Sequence, residues 1–138
     1  MTNPLVDLLQ LDVPASLGTL DRQGYPRITP IWFVYENGAF YMTSLVGKRH
    51  VGDLRHDPRA SIRVDTEDAV AVEEVRANRQ VGGRGIAELR PDVGGEWTRR
   101  ISLKYLAGPD GVARASMRAA QDRIVIAIRP ERLEWLHT

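Results

Sequence analysis

The sequence predicts a mainly β domain: six or seven antiparallel strands closing into a barrel, with a few short helices at its ends and corners. Three observations carry that prediction. β-prone runs follow one another through short turns, rather than alternating with helices as a doubly wound sheet requires. Asn37-Gly38 lies between two such runs, the strongest short signal for a hairpin. Ile124 to Ile128 is an unbroken apolar run, as expected of a central strand buried on both faces.

Asn3-Pro4 reads as a helix cap and first helical position, and Leu5, Leu8 and Leu9 then share one face of a short helix that lids the core. Ser16 to Leu20 is a strand that ends in the turn cluster Asp21-Arg22-Gln23-Gly24. Arg27 to Tyr35 is the longest strand candidate. Pro30 inside it cannot donate to a ladder, which implies an edge, a bulge or a place where a ligand takes over the pairing. Beyond Glu36-Asn37-Gly38, Ala39 to Ser44 is the return strand. A short helix follows Gly47, with Val51 and Leu54 on its inner face, and Pro58 stops it at Asp57.

Arg59 to Asp65 alternates Ser61, Arg63 and Asp65 against Ala60, Ile62 and Val64, one wet face against one buried. Thr66 to Asn78 lacks a clean period and is expected to be a long loop, a flap over a cleft. Arg79 to Leu89 resumes a strand, where Gly82, Gly83 and Gly85 imply a bulge or a close backbone approach. Pro91-Asp92 opens a helical region with Trp97, Ile101 and Tyr105 at i, i+4 and i+8, broken by Gly108-Pro109-Asp110-Gly111. Val112 to Gln121 adds a turn or two of helix. Pro130 separates the Ile124–Ile128 strand from a last short one, in which Leu133 and Trp135 alternate with Glu134.

Composition bounds the function. The chain has 138 residues, 43% apolar and 27% charged, which fits one globular domain over 1–138 with a real core. A net charge of +1 gives no global argument for nucleic acid or an acidic membrane as partner. The absence of cysteine removes disulfides, thiolate catalysis and Cys-type zinc sites. No signal peptide or spanning segment is visible, so a cytoplasmic protein is the default expectation.

The chemistry concentrates at Thr43-Ser44-Leu45-Val46-Gly47-Lys48-Arg49. A strand ends in two hydroxyls, passes a glycine turn and meets two cations at a helix start, where free N–H groups and the positive end of the helix favour an anion. That pattern suits the phosphate grip of a nucleotide-like cofactor; the alternative is a surface turn whose charges face water. Trp32 points opposite to Phe33 and Tyr35, which makes it a candidate to stand beside a ligand ring, with Trp135 a second. Tyr105 reads as a helix packing residue.

Other chemistries fail on spacing. Gly47-Lys48 is followed by Arg49 where a P-loop needs Ser or Thr, and position 42 is Met instead of glycine. Gly82-Gly83-Arg84-Gly85 lacks dinucleotide spacing. His50 and His56 do not share a helical face, and no G-x-S-x-G elbow exists. The acidic cluster Asp65, Glu67, Asp68, Glu73 and Glu74 reads as a solvated loop, so no metal site is expected.

Gly24-Tyr25-Pro26-Arg27-Ile28-Thr29-Pro30-Ile31-Trp32-Phe33, the aromatic return strand, and Gly47-Lys48 leading to Asp53-Leu54-Arg55-His56-Asp57-Pro58-Arg59 carry a family resemblance. In them the chain resembles the split β-barrel flavin and deazaflavin oxidoreductases, the superfamily of pyridoxamine 5'-phosphate oxidase-like proteins. The resemblance continues through Gly83-Arg84-Gly85-Ile86-Ala87-Glu88 and the closing Ile126 to Trp135, and so spans nearly the whole chain in order. It implies a split barrel that forms a homodimer, with cofactor sites at the subunit interface. Thr43, Ser44, Lys48 and Arg49 match the phosphate end of such a site, and Arg27, Thr29, Pro30, Ile31 and Trp32 match the strand lining the isoalloxazine-type ring. The family's helix usually carries asparagine where this chain has Asp53, a negative group close to the phosphate end.

Hydride transfer from a reduced flavin or deazaflavin is the cofactor's chemistry, so the lack of a nucleophile or an acid–base pair is consistent with the resemblance, and no catalytic side chain is assigned. The Gly-Lys and Asp-Leu-Arg-His-Asp-Pro-Arg pattern is most similar to members using the deazaflavin F420, whose acidic tail Arg55 and Arg59 could attract. FMN is the alternative. A non-catalytic cofactor-binding protein and a cofactor-free interaction module are the readings from other classes.

Overall fold

The computed structural model describes residues 4–67 and 78–137. Helix α1 (Pro4–Gln10) precedes strands β1 (Ala15–Leu20), β2 (Pro26–Ile31), β3 (Val34–Glu36) and β4 (Ala39–Leu45). Helix α2 (Arg49–His56) leads to the long strands β5 (Arg59–Glu67) and β6 (Asn78–Pro91). A 3-10 turn (Val93–Gly95), α3 (Glu96–Tyr105) and α4 (Gly111–Ala119) precede β7 (Arg123–Ile128) and β8 (Glu134–His137).

All eight strands belong to one sheet in the order β2-β1-β5-β6-β7-β4-β3, with β8 also paired to β6, and every pairing is antiparallel. The mainly β architecture expected from the sequence is therefore present, but the barrel is not closed. The two ends of the strand order are β2 and β3, consecutive in the chain and joined only through Trp32 and Phe33. The single strand expected over Arg27–Tyr35 is thus two strands, which makes the total eight.

The gap is closed by side chains. Tyr105 Oη accepts the Phe33 N–H at 3.2 Å and lies 2.9 Å from Val13 O, to which it donates. Lys104 Nζ donates to Phe33 O at 3.0 Å and to Leu9 O at 3.2 Å. Backbone groups that a closed ladder would have paired find partners on α3 instead, which matters because Phe33 is fully buried.

Local signals behave as the sequence implies. Asn37 and Gly38 both take positive φ (52° and 78°), as a two-residue hairpin turn requires. β5 alternates exposed and buried positions throughout, and β6 pairs with it in unbroken register from Arg59↔Ile86 to Glu67↔Asn78. The β6 glycines therefore mark close approach instead of a bulge: a Cβ on Gly82 would stand 2.5 Å from Ile62 O, and one on Gly83 2.8 Å from Pro130 Cβ. Thr66, Glu67 and Asn78 belong to these strands; the remainder of the expected flap, 68–77, lies outside the described residues, as does Asn3.

The main core gathers Leu8 and Leu9 of α1, Leu17, Phe33, Phe40 and Met42, and the strand interiors around Ile62 and Ile126. Burial of each such side chain contributes roughly 1.5–3 kcal/mol. β4 and β7 are buried on both faces, because Tyr41, Val125 and Ala127 form a second cluster with Trp97 of α3. Tyr41 and Trp97 stack with centroids 4.1 Å apart. Among the described residues no helix is long and apolar enough to cross a membrane.

Candidate functional site

The start of α2 is the natural centre. Lys48 is the N-cap residue, with extended backbone (φ −70°, ψ 147°) and no side-chain cap, so the first N–H groups of the helix lack the usual Ser or Asp acceptor. Its carbonyl accepts from Val51 and Gly52, starting the helix. Lys48 and Arg49 are exposed and make no ion pair among the described residues. Two cations and the positive helix end thus face outward together.

The inner face of α2 presents His50, Val51, Asp53 and Leu54 to the sheet. Val51 and Leu54 join the core, whereas Asp53 reaches the strands through a polar cluster. Its Oδ2 accepts from Thr19 Oγ1 at 2.8 Å and from Arg27 Nε at 2.7 Å, and its Oδ1 lies 3.5 Å from Arg27 Nη2. Burial pushes the Asp53 carboxyl up, but the bonds from Arg27 and Thr19 outweigh it and hold the group below the usual carboxylate range. Donating that same bond to Asp53 raises Arg27. His50 is buried with Nε2 unpartnered, and burial lowers its pKa, so the imidazole is neutral at pH 7. Lys48 and Arg27 both act on it electrostatically, so the three share one neighbourhood.

The structure separates the residues that the resemblance grouped. Arg27, Thr29 and Ile31 point to the inner side of β2, and Arg27 meets α2 at Asp53. Pro30 points to the opposite face with Ile28. Trp32 turns toward α3 and α4: its ring stacks on Tyr105 at 4.7 Å and 4°, and the Arg118 guanidinium lies over it at 4.7 Å. Thr43 and Ser44, both buried, project to opposite faces of β4. Thr43 Oγ1 lies 2.8 Å from Thr98 Oγ1, which also bonds Asp92 Oδ2 at 2.6 Å, so that hydroxyl is engaged in seating α3. Among the residues so grouped, Arg27, Lys48 and Arg49 gather around α2, while Trp32 and Thr43 lie with α3.

The outer face of β1, β2, β5 and β6 is an open groove of two adjoining parts, about 530 and 860 Å³, sharing Gly18, Ile28, Ser61 and Arg84. Its floor is made of small residues, and Ile28 and Ile86 stand 74% and 63% exposed along it. Arg59, Arg84 and Arg129 line the larger part, opposed by Glu131. Thr19 also borders the larger part, but its side chain is buried on the opposite face of β1, where it bonds Asp53. A concave, cation-bordered surface of this size suits a large anionic cofactor.

The family model for pyridoxamine 5'-phosphate oxidase matches residues 1–137. The chain belongs to the pyridoxamine 5'-phosphate oxidase family. No curated protein sequence matches it. Among solved structures, an F420 reductase superposes with a TM-score of 0.71 at 19% identity, over 97% of this chain and 98% of that one. An FAD-binding protein from Mesorhizobium loti gives 0.66 at 18%, over 99% and 96% of the two chains. A heme-binding protein from Mycobacterium smegmatis gives 0.66 at 26%, over 99% of this chain and 55% of that one. The fold is therefore that of the pyridoxamine 5'-phosphate oxidase-like split barrels.

For this family member, sequence reasoning missed the groove residues Ser16, Gly18 and Ser61 and the Thr19–Asp53–Arg27 cluster. Small residues on the outward phase of adjacent strands were a usable signal for the first. No local signal marks the second, because its members come from three elements.

Proposed function

We propose that this chain is an oxidoreductase dependent on a flavin-type cofactor, with the deazaflavin F420 as first candidate and FMN as the alternative. The observation that carries this reading is the start of α2, where Lys48 and Arg49 stand exposed at the uncapped helix end and Arg27 reaches the same helix from the edge strand β2; a groove large enough for a tricyclic ring system opens on the other face of that strand. The uncapped N–H groups of α2 and the Lys48 and Arg49 side chains hold the phosphate. β2 and the groove floor receive the ring, and Ile28 and Ile86 limit water at its face. When bound, the cofactor supplies hydride chemistry; the protein binds and orients it and the acceptor, a small organic molecule. Family membership and the likeness to an F420 reductase support this reading.

The working unit is a homodimer that covers the groove with a second copy. Two large apolar side chains exposed on one sheet face, Ile28 and Ile86, support that arrangement.

Parallel fluorescence titrations with F420 and FMN test the reading. Tight F420 binding followed by turnover with activated alkenes or quinones is the expected result, and tight FMN binding alone redirects the assay to oxidase or FMN-reductase activity. Binding of neither ends the proposal. A non-catalytic cofactor carrier is the second reading, favoured by the likeness to a heme-binding protein; stoichiometric uptake without turnover establishes it.

A further inference from the structure

Arg27 is anchored by one edge only. Its Nε and Nη2 face Asp53, at 2.7 and 3.5 Å, while Nη1 makes no hydrogen bond among the described residues. The Arg27 side chain is 32% exposed and that of Asp53 7%, so the carboxylate is the buried foundation and the guanidinium the part that reaches out. Thr19 completes the foundation, because its hydroxyl and Arg27 Nε share the same oxygen, Oδ2. The three residues come from β1, β2 and α2, so each end of the arrangement is fixed by a different element.

Holding α2 on the sheet does not by itself call for such a group. An ion pair that is largely buried gives little net stability over well-packed apolar side chains, and Val51 and Leu54 already fasten the same face of α2. What an ion pair adds is direction. A guanidinium presents its donors in a rigid planar fork, so fixing the Nε–Nη2 edge also fixes where the two Nη1 hydrogens point. Asp53 also cancels the charge of Arg27, so this residue offers oriented donors, while Lys48 and Arg49 supply the net positive charge of the neighbourhood.

We infer that Asp53, locked by Thr19, is a positioning residue that holds Arg27 with its Nη1 edge free for a phosphate oxygen of the cofactor. The inference rests on the cofactor reading above. It gives the departure from asparagine at this position a purpose: the negative group faces the guanidinium and not the phosphate.

A double-mutant cycle tests it, read as dissociation constants for whichever of F420 or FMN the wild-type protein binds. Asp53→Ala is expected to weaken binding about tenfold, on the scale of one charge-assisted contact. Asp53→Asn keeps an oxygen acceptor for Arg27 and is expected to stay within about threefold of wild type. Arg27→Ala combined with Asp53→Ala should be no weaker than Arg27→Ala alone, because a positioning residue has nothing left to position. In side-chain NMR of ¹⁵N-arginine protein, the Arg27 Nε–H signal should be slow to exchange in wild type and Asp53→Asn and lost in Asp53→Ala. Additive losses in the cycle, an Asp53→Ala variant that binds like wild type, or an Arg27→Ala variant that does so, would each overturn the inference while leaving the function standing. A wild-type protein that binds neither cofactor overturns both.

Discussion

Tyr105 mends the sheet at Phe33. The two residues are 72 apart in sequence, yet the Tyr105 hydroxyl takes the Phe33 N–H at 3.2 Å at the point where β2 stops and β3 has not begun. The same hydroxyl lies 2.9 Å from Val13 O, and burial pushes its pKa up to about 12, so it remains protonated and able to donate throughout the neutral range.

Tyr105→Phe should therefore cost about 1–3 kcal/mol, since it strips partners from the N–H of buried Phe33 and from the carbonyl of half-buried Val13 while leaving the ring on Trp32. Urea unfolding monitored by tryptophan fluorescence measures this. A midpoint equal to wild type would mean that water replaces the hydroxyl.

Thr43 and Lys48 should part company on substitution. Thr43→Val removes a buried bond to Thr98 and is expected to lower stability by about 1–2 kcal/mol. Lys48→Ala should leave unfolding unchanged, because Lys48 is exposed and unpaired among the described residues, yet weaken cofactor binding by about 1.5–3 kcal/mol. Calorimetric titration of both variants beside their melting curves provides the comparison, and an unchanged dissociation constant for Lys48→Ala removes it from the phosphate grip.

Gly95→Ala should be among the costlier single changes in the chain. Gly95 has φ of 67°, and a Cβ there would stand 2.4 Å from Ala119 O, so strain and overlap act together. A loss of about 2–4 kcal/mol is expected, the left-handed penalty plus a displacement of α4. Thermal melting of this variant against Gly94→Ala, where nothing lies within 4 Å of the added carbon, separates the contributions.

His50 should make the protein acid-sensitive in a window above that of the carboxylates. Its folded pKa lies below the ordinary 6.5, with burial the largest cause, so the unfolded chain takes up the proton first as pH falls. Stability is then unaffected by this group well above pH 6.5 and declines as pH drops through and below it. The paired Asp57, held at about 2, responds only in much stronger acid. Urea midpoints at pH 7.5 and 5.5 should differ in wild type and converge in His50→Leu.

The elements were legible because their signals are local. Alternation wrote β5, the Asn-Gly pair wrote the β3–β4 turn, and apolar continuity wrote β7. The break at Trp32-Phe33 was not, since both residues favour strands and it is α3, placed by the fold, that removes them from the ladder. The site divides in the same way. Lys48 and Arg49 could be found from the glycine turn before a helix. The partners of Asp53 and Thr43 lie 26, 34 and 55 residues away, and read without them Asp53 looked like a negative charge intruding on an anion site.

A barrel left open has a free margin at each end of its strand order, β2 and β3, and each could recruit a strand from another molecule. Here each carries its own guard. β3 is only three residues long, too little to template an extended partner. β2 has proline at 26 and 30, on the same phase as Ile28, and prolines are tolerated in an edge strand where their missing N–H would face outward. The opening thus allows side chains of α3 to reach the interior while neither of its two lips offers a template for fibrous stacking.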